Sequence, residues 1–366
     1  MTRIRSGSWK KGYRQGYREG WKRGRHLGQC RRIEQRYPPE KGLYLDWKVL
    51  FVRAGGAPYL SLEEGVIDGL AAHVREVLAV PPDADVAGMV RQEAPDLVLV
   101  LDAAGVSFPL EKLAPLGETG VLAAVWFVDD PYHSDRTIPL GPYYDHVFTI
   151  ETECVPVYEE AGCARVHYLP PAVHPGLYRP ESAPTSRHRE IVLIGSAFES
   201  RVRLIDALAP YLRSRDVFIN GYWWERLQHY GLLSDRISGN WLSPEETCIW
   251  YNGAHIVINH HRTHEEPLHN HNSRGIAARS ANPRLFEING CGTLQLVDAR
   301  EEIHRWYTPG IELDTYASPE ELMEKIEYYL ANEGHRRQIA LNGLARTLKD
   351  HTYRHRMEQL LSALQT

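Results

Sequence analysis

The 366-residue chain has no unbroken apolar run near the roughly 18 residues that would cross a bilayer, and its N-terminus lacks the apolar stretch of a secretory signal. An integral-membrane protein is excluded on that pattern, and a secreted one is not expected. Cysteine is scarce: Cys30, Cys154, Cys163, Cys248 and Cys291 lie far apart and form no C-x-x-C pair. Five scattered thiols make no disulfide framework and fit a reducing, cytoplasmic compartment. Hydrophobic residues make up 43% and charged residues 24%, which is ordinary for a globular protein and excludes collagen and wholesale disorder. At roughly 100–200 residues per domain, the length suggests two domains.

The net charge of -5 conceals an asymmetry. Residues 1–36 hold twelve Lys and Arg against Glu19 and Glu34, a net +10 that leaves -15 on the rest. Such a basic end reads as an interaction segment. It also carries a tandem repeat, with glycine at 12, 16, 20, 24 and 28 and aromatics at 9, 13, 17 and 21. On a helix, a four-residue step puts the glycines in one slowly rotating stripe and the aromatics in the next. Each glycine costs about 1 kcal/mol against alanine inside a helix. A solvated tail and a helix that docks on a partner or a second copy are therefore equally good readings, and Pro38-Pro39 closes the segment in both.

From Trp47 onward short apolar runs alternate with helical periods. Candidate strands lie at 48–52, 97–101, 121–128, 147–150 and 166–169, with a helical period through Leu62, Val66, Leu70, Val74 and Leu78. The polar, proline-punctuated stretch 179–190 reads as a linker, and the pattern restarts with strands at 191–194, 217–220, 255–259 and 292–297. A helix is expected from about Arg201 to Leu212, and 319–330 and 333–364 read as terminal helices. Continuous apolar strands separated by helices indicate parallel sheets covered on both faces. The expected α/β architecture is two Rossmann-like, doubly wound domains facing a cleft at the carboxyl ends of their strands, where such sheets bind ligands.

Arg284 and Glu287 open a short helix that leads through Gly292 into a buried strand. A helix N-terminus attracts phosphate, a guanidinium adds a bidentate partner, and a carboxylate one turn in can accept both hydroxyls of a ribose. An Arg–Glu pair capping a surface helix would look the same. Gly195-Ser196, with Arg201 behind them, form the first turn of the second half, where glycine permits close approach to a pyrophosphate. Asp129 and Asp130 end a strand of the first half and enter the cleft. One is expected to be structural and one functional, with Asp130 preferred as the functional one. His260, His261, His264, His269 and His271 crowd one loop without a regular metal-binding spacing, so a polar, mobile loop at the cleft mouth is the first reading. Contact of His260 or His261 with the donor is the second. Tyr222-Trp223-Trp224 and Trp241 suit stacking or simple core packing.

Residues 282–298, 306–310, 318–322, 329–330, 339–340 and 351–356, with 126–131 and 191–203, resemble the CgeB-type (spore-maturation) glycosyltransferases, which are similar to the GT-B nucleotide-sugar transferases. The resemblance implies a donor held mainly by the second domain and an acceptor facing the first. Domains are then expected at 41–180 and 190–345, with a basic tail at 1–40 and a helix at 346–366 crossing back to the first domain. It assigns Glu287 to the ribose and Arg284 to the diphosphate, favours phosphate contact for Gly195, Ser196 and Arg201, and leaves His260 or His261 as a secondary donor contact. It also implies a catalytic base for the acceptor hydroxyl at Asp130 or Asp129, with Asp130 preferred. Many retaining members carry a second glutamate eight residues before the first; here that position is Arg279. The implied activity is transfer of a sugar, first of all from a UDP-sugar, to a hydroxyl on a spore- or cell-surface glycan or protein or on a small molecule. The nucleotide sugar is a substrate, and neither metal nor other cofactor is expected, nor nucleic acid as a partner. A non-catalytic sugar- or nucleotide-binding protein of the same fold is the alternative.

Overall fold

A computed structural model describes residues 6–38, 42–266 and 268–366, with side chains from residue 10 onward. Arg3 and Arg5 of the basic tail, the side chain of Trp9, and Pro39 lie outside the described residues. All five cysteines are free and buried.

The first sheet contains β1 (Leu45–Val52), β2 (Val74–Val80), β3 (Leu97–Asp102), β4 (Leu122–Phe127), β5 (His146–Thr149) and β6 (Val166–Tyr168), in the order β2-β1-β3-β4-β5-β6. The second contains β7 (Arg189–Ile194), β8 (Val217–Asn220), β9 (Ile237–Ser238), β10 (Ala254–Asn259), β11 (Leu294–Asp298) and β12 (Asp314–Tyr316), in the order β12-β11-β10-β7-β8-β9. Every pairing is parallel. The central strands β3 and β4 are almost wholly buried, which is why they read as unbroken apolar runs. These are the two Rossmann-like lobes that the sequence pattern predicts.

Two elements differ from the sequence reading. The helix after β1 ends at Ala71, and Val74–Val80 is the edge strand β2. Its Val74 and Leu78 continue the four-residue spacing of the helix by coincidence, and an edge strand tolerates the intervening Arg75 and Glu76. The terminal helix is also interrupted. Glu333–Asp350 packs on the second lobe, and Tyr353–Ala363 packs on the first. At the break, Val173 N–H donates to His351 O and Tyr353 N–H donates to Val173 O, each at 3.0 Å. The Arg356 guanidinium is buried there and donates to the carbonyls of Pro170 and Pro171.

The returning helix lies against Leu60–Ala71 so closely that the contact requires glycine. A methyl group on Gly69 would sit 2.7 Å from the Tyr353 carbonyl oxygen, and one on Gly65 only 2.1 Å from the Tyr353 ring. Tyr353, Met357, Leu360 and Leu361 thereby enter the core of the first lobe. Ser6–Arg36 forms one long helix, so among the described residues the segment is not a loose tail. Its carboxyl half packs on the body: Cys30 joins Leu341 and Leu344, and Lys22 pairs with Glu333.

Gly69→Ala is expected to destabilise the protein by about 1–3 kcal/mol, because the Tyr353 backbone, as well as the Met357 side chain, opposes the new methyl. Urea denaturation checks this, and an unchanged midpoint would show that the two helices pack less tightly than described.

Candidate functional site

A cavity of about 670 Å³ opens between the lobes at the carboxyl ends of their strands, within the size range of small-molecule sites. Asp129 and Asp130 follow β4, Glu151 follows β5, Gly195 and Ser196 follow β7, Gly221 follows β8, and His261 and Arg262 follow β10; all line it, as do Arg201, Arg284 and Glu287.

The turn after β7 is built around arginine. Gly195 has φ +148°, and a methyl group on it would lie 2.9 Å from Arg201 Nη1 and 3.6 Å from Arg284 Nη1. Two guanidiniums therefore flank one bare stretch of backbone. Arg201 is buried and donates to Ser196 O and His260 O, both at 2.8 Å. Arg284 touches Asn259 Oδ1 at 3.4 Å. A third cation, Arg262, is clamped between Tyr132 of the first lobe and Phe198 of the second, 4.3 Å and 4.1 Å from the ring centroids, and its Nε has no hydrogen-bond partner. Among the described residues none of the three forms an ion pair. Burial disfavours the charge of Arg201, and repulsion from Arg284 and Arg262 adds to it. A guanidinium nevertheless stays protonated, so this corner of the cavity is built for an anion.

Glu287 lies on the same wall, buried, with Ser61 Oγ of the first lobe 3.5 Å from Oε1. Burial pushes its carboxyl up to about 7, with Arg284 and Ser61 opposing. The helix that carries both residues offers less than expected. Its N–H groups at Leu285, Phe286 and Glu287 are already engaged, by Asn282 and by the Pro283 carbonyl. The anion site thus rests on side chains more than on a helix dipole.

The two aspartates differ in their surroundings. Asp130 is sealed and accepts from Thr137 Oγ1 at 3.0 Å, Thr149 Oγ1 at 2.7 Å and Tyr158 O–H at 2.9 Å. Burial still raises it to about 6. A carboxylate saturated by three hydroxyls holds the fold and is poorly placed to take a proton from substrate. Asp129 is the carboxylate with an open oxygen: its Oδ2 accepts from Tyr59 O–H at 3.2 Å and lies 3.5 Å from His133 Nε2.

The described parts of the histidine loop, residues 260–266 and 268–283, run between the lobes as a strap. His271 N–H donates to Tyr132 O, Ser273 N–H donates to Asp135, and the N–H groups of Arg279 and Ser280 donate to Glu151. The His260 ring turns away from the cavity to Tyr316 O–H, at 2.9 Å, which corrects its assignment to the donor. His261 lines the cavity with both nitrogens committed: Nδ1 contacts Asp298 at 2.6 Å, and Nε2 accepts from Asn282 N–H. Burial lowers it to about 4, so it is neutral beside the Asp298 carboxylate. Among the described residues no group of three His, Cys, Asp or Glu side chains converges as metal ligands. Trp224 is a core residue whose Nε1–H donates to Gly195 O, whereas Tyr222, Trp223 and Trp241 line the cavity and are exposed.

Residues 200–362 match a family described as glycosyl transferase-like. Together with that match, the two lobes give the chain a fold of the GT-B type with a glycosyl transferase-like second half. More particularly, the chain is similar to the spore protein CgeB of Bacillus subtilis strain 168, 27% identical over 310 residues that cover 84% of this chain and 95% of that protein. Among solved structures it is similar to Anabaena HepE in complex with UDP and glucose, with TM-score 0.59, 13% identity and coverage of 87% and 99%. It is also similar to an α-glucosyltransferase in complex with UDP, with TM-score 0.61, 9% identity and coverage of 87% and 100%.

The elevated carboxyl of Glu287 has a consequence for stability. Its folded value, about 7, lies above the ordinary 4.5, so its contribution is full below pH 4.5 and lost as pH rises through 7. Glu287→Gln is therefore expected to be near neutral at about pH 5 and to gain on the wild type by on the order of 2–3 kcal/mol at about pH 8. Urea titrations at both pH values decide it, and a difference independent of pH would count against a buried carboxyl.

Proposed function

We propose that the chain transfers a sugar from a nucleotide-diphosphate donor, in the first instance a UDP-sugar, to a hydroxyl acceptor on a spore- or cell-surface glycan or protein, and does so in the cytoplasm. One observation carries this reading: Arg201, Arg262 and Arg284 converge, with no ion pair among the described residues and only more distant carboxylates such as Asp298 and Asp129 to offset them, on a cavity whose same wall bears Glu287. A diphosphate supplies the missing charge, and the Glu287 carboxylate accepts the ribose hydroxyls one helical turn away. HepE and the α-glucosyltransferase were solved with UDP, which supports a uridine donor.

The acceptor faces the first lobe. Its oxygen forms a bond to the anomeric carbon while the bond from that carbon to the terminal phosphate oxygen breaks. The electron pair goes to the diphosphate, and the guanidiniums stabilise the charge that develops. The acceptor's proton passes to Asp129, the carboxylate with an open oxygen on the acceptor side. Charge neutralisation is assigned to arginine, so the proposal includes no metal.

Release of UDP from a panel of UDP-sugars tests this reading. Turnover of at least one donor is expected. Glu287→Ala should weaken donor binding tenfold or more, and Asp129→Asn should lower kcat by about 10²–10⁴ with little change in KM. Binding of donors without any UDP release across the panel would identify a non-catalytic nucleotide-sugar-binding protein instead.

A further inference from the structure

The glycosyl-transfer reading leaves the amino half of the long helix Ser6–Arg36 without a task. The fold does not explain its composition. Methyl groups built on Gly12, Gly16, Gly20, Gly24 and Gly28 meet nothing within 4 Å, so no close contact inside the molecule calls for these glycines, and alanine would serve the helix better.

Around the helix axis the repeat generates three adjacent stripes. Gly12, Gly16 and Gly20 form the first. Tyr13, Tyr17 and Trp21 form the second and are 63%, 68% and 56% exposed. Arg14, Arg18 and Lys22 form the third. Lys22 turns back to Glu333, and the body packs against the opposite side through His26, Cys30 and Ile33. Arg25 lies over the Trp21 ring at 5.6 Å. Residues 10–25 carry seven Lys and Arg against Glu19 alone. The outward face is thus a ridge of amphipathic rings, flanked by cations on one side and by bare backbone on the other.

We propose that this face docks in the plane of an anionic phospholipid surface. Tyr and Trp favour the interface, where the ring is sheltered and the polar edge stays wet. Cations beside them meet anionic headgroups, and the missing side chains of the glycine stripe let the helix lie low enough for the rings to reach the acyl boundary. Charge argues against the other occupants. Two copies of the ridge would oppose Arg14, Arg18 and Arg25 to one another. A single-stranded nucleic acid is gripped in a groove that tracks its backbone, and a convex ridge has none. Among the described residues no helix is long and apolar enough to cross a membrane, so the proposed contact is peripheral.

Co-sedimentation of the full chain with vesicles tests the proposal. Binding is expected to vesicles with about 30% phosphatidylglycerol and not to phosphatidylcholine alone. It should weaken at least tenfold between about 50 and 300 mM salt. The double variants Arg14→Glu/Arg18→Glu and Tyr17→Ala/Trp21→Ala should each lose at least tenfold in affinity, with thermal unfolding unchanged because these side chains are exposed. Failure to bind anionic vesicles at low salt would overturn the proposal, as would binding indifferent to both double variants. A concentration-dependent dimer abolished by the same substitutions would assign the ridge to a second copy. Equal binding of an unstructured single-stranded DNA would assign it to polyanions in general.

Discussion

Two guanidiniums held against one glycine, with no carboxylate to pair them, are the constraint around which the rest of the molecule is arranged. Burying a cation is costly unless an opposite charge offsets it. Arg201 is fixed by two carbonyls, Arg284 leans on a single amide, and Arg262 is held between aromatic rings of different lobes. Carbonyls and rings satisfy donors and soften the field, yet they supply no net charge. The unliganded protein therefore carries an unmet electrostatic demand at the place where two parallel sheets present the carboxyl ends of their strands.

The remaining architecture serves to keep that place open and defined. The returning helix ties the end of the chain to the first lobe through the Gly65 and Gly69 contacts. The strap, through its residues 271–280, ties the second lobe to the first at Tyr132, Asp135 and Glu151. Glu151 accepts three hydrogen bonds from the strap, and Thr152 N–H donates to Ser280 Oγ, so both lobes contribute to the position of Ser280 and of the wall behind it. The cavity is consequently framed by two separate connections besides the linker. A change in the angle between the lobes must repack at least one of them.

Much of the fold was legible in the sequence because parallel strands buried on both faces need continuous apolar runs, and β3, β4, β7 and β10 supply them. The edge strand β2 was misread because Val74 and Leu78 keep the helical spacing, and β9 and β12 are too short and polar to leave a pattern. Within the site, Gly195 and Arg201 were legible from their place at the turn after β7, whereas Arg284 and Glu287 were legible only through the family resemblance, since an Arg–Glu pair capping a surface helix leaves the same pattern. The choice between Asp129 and Asp130 was not. It depends on Thr137, Thr149 and Tyr158, three hydroxyls that only the folded chain brings together. Arg262 escaped notice among the histidines around it, since its importance comes from Tyr132 and Phe198, distant in sequence and on opposite sides of the cleft. His260 was overvalued for the converse reason, because its partner Tyr316 lies on β12, an unrecognised strand.

The affinity of UDP relative to uridine, measured by calorimetry in the wild type and in an Arg262→Ala/Arg284→Ala double variant, tests the arginine constraint most directly. The account predicts that the diphosphate tightens binding at least about a hundredfold in the wild type, and that most of this advantage disappears in the double variant while uridine binds as before. Equal affinities for UDP and uridine in the wild-type protein would contradict it.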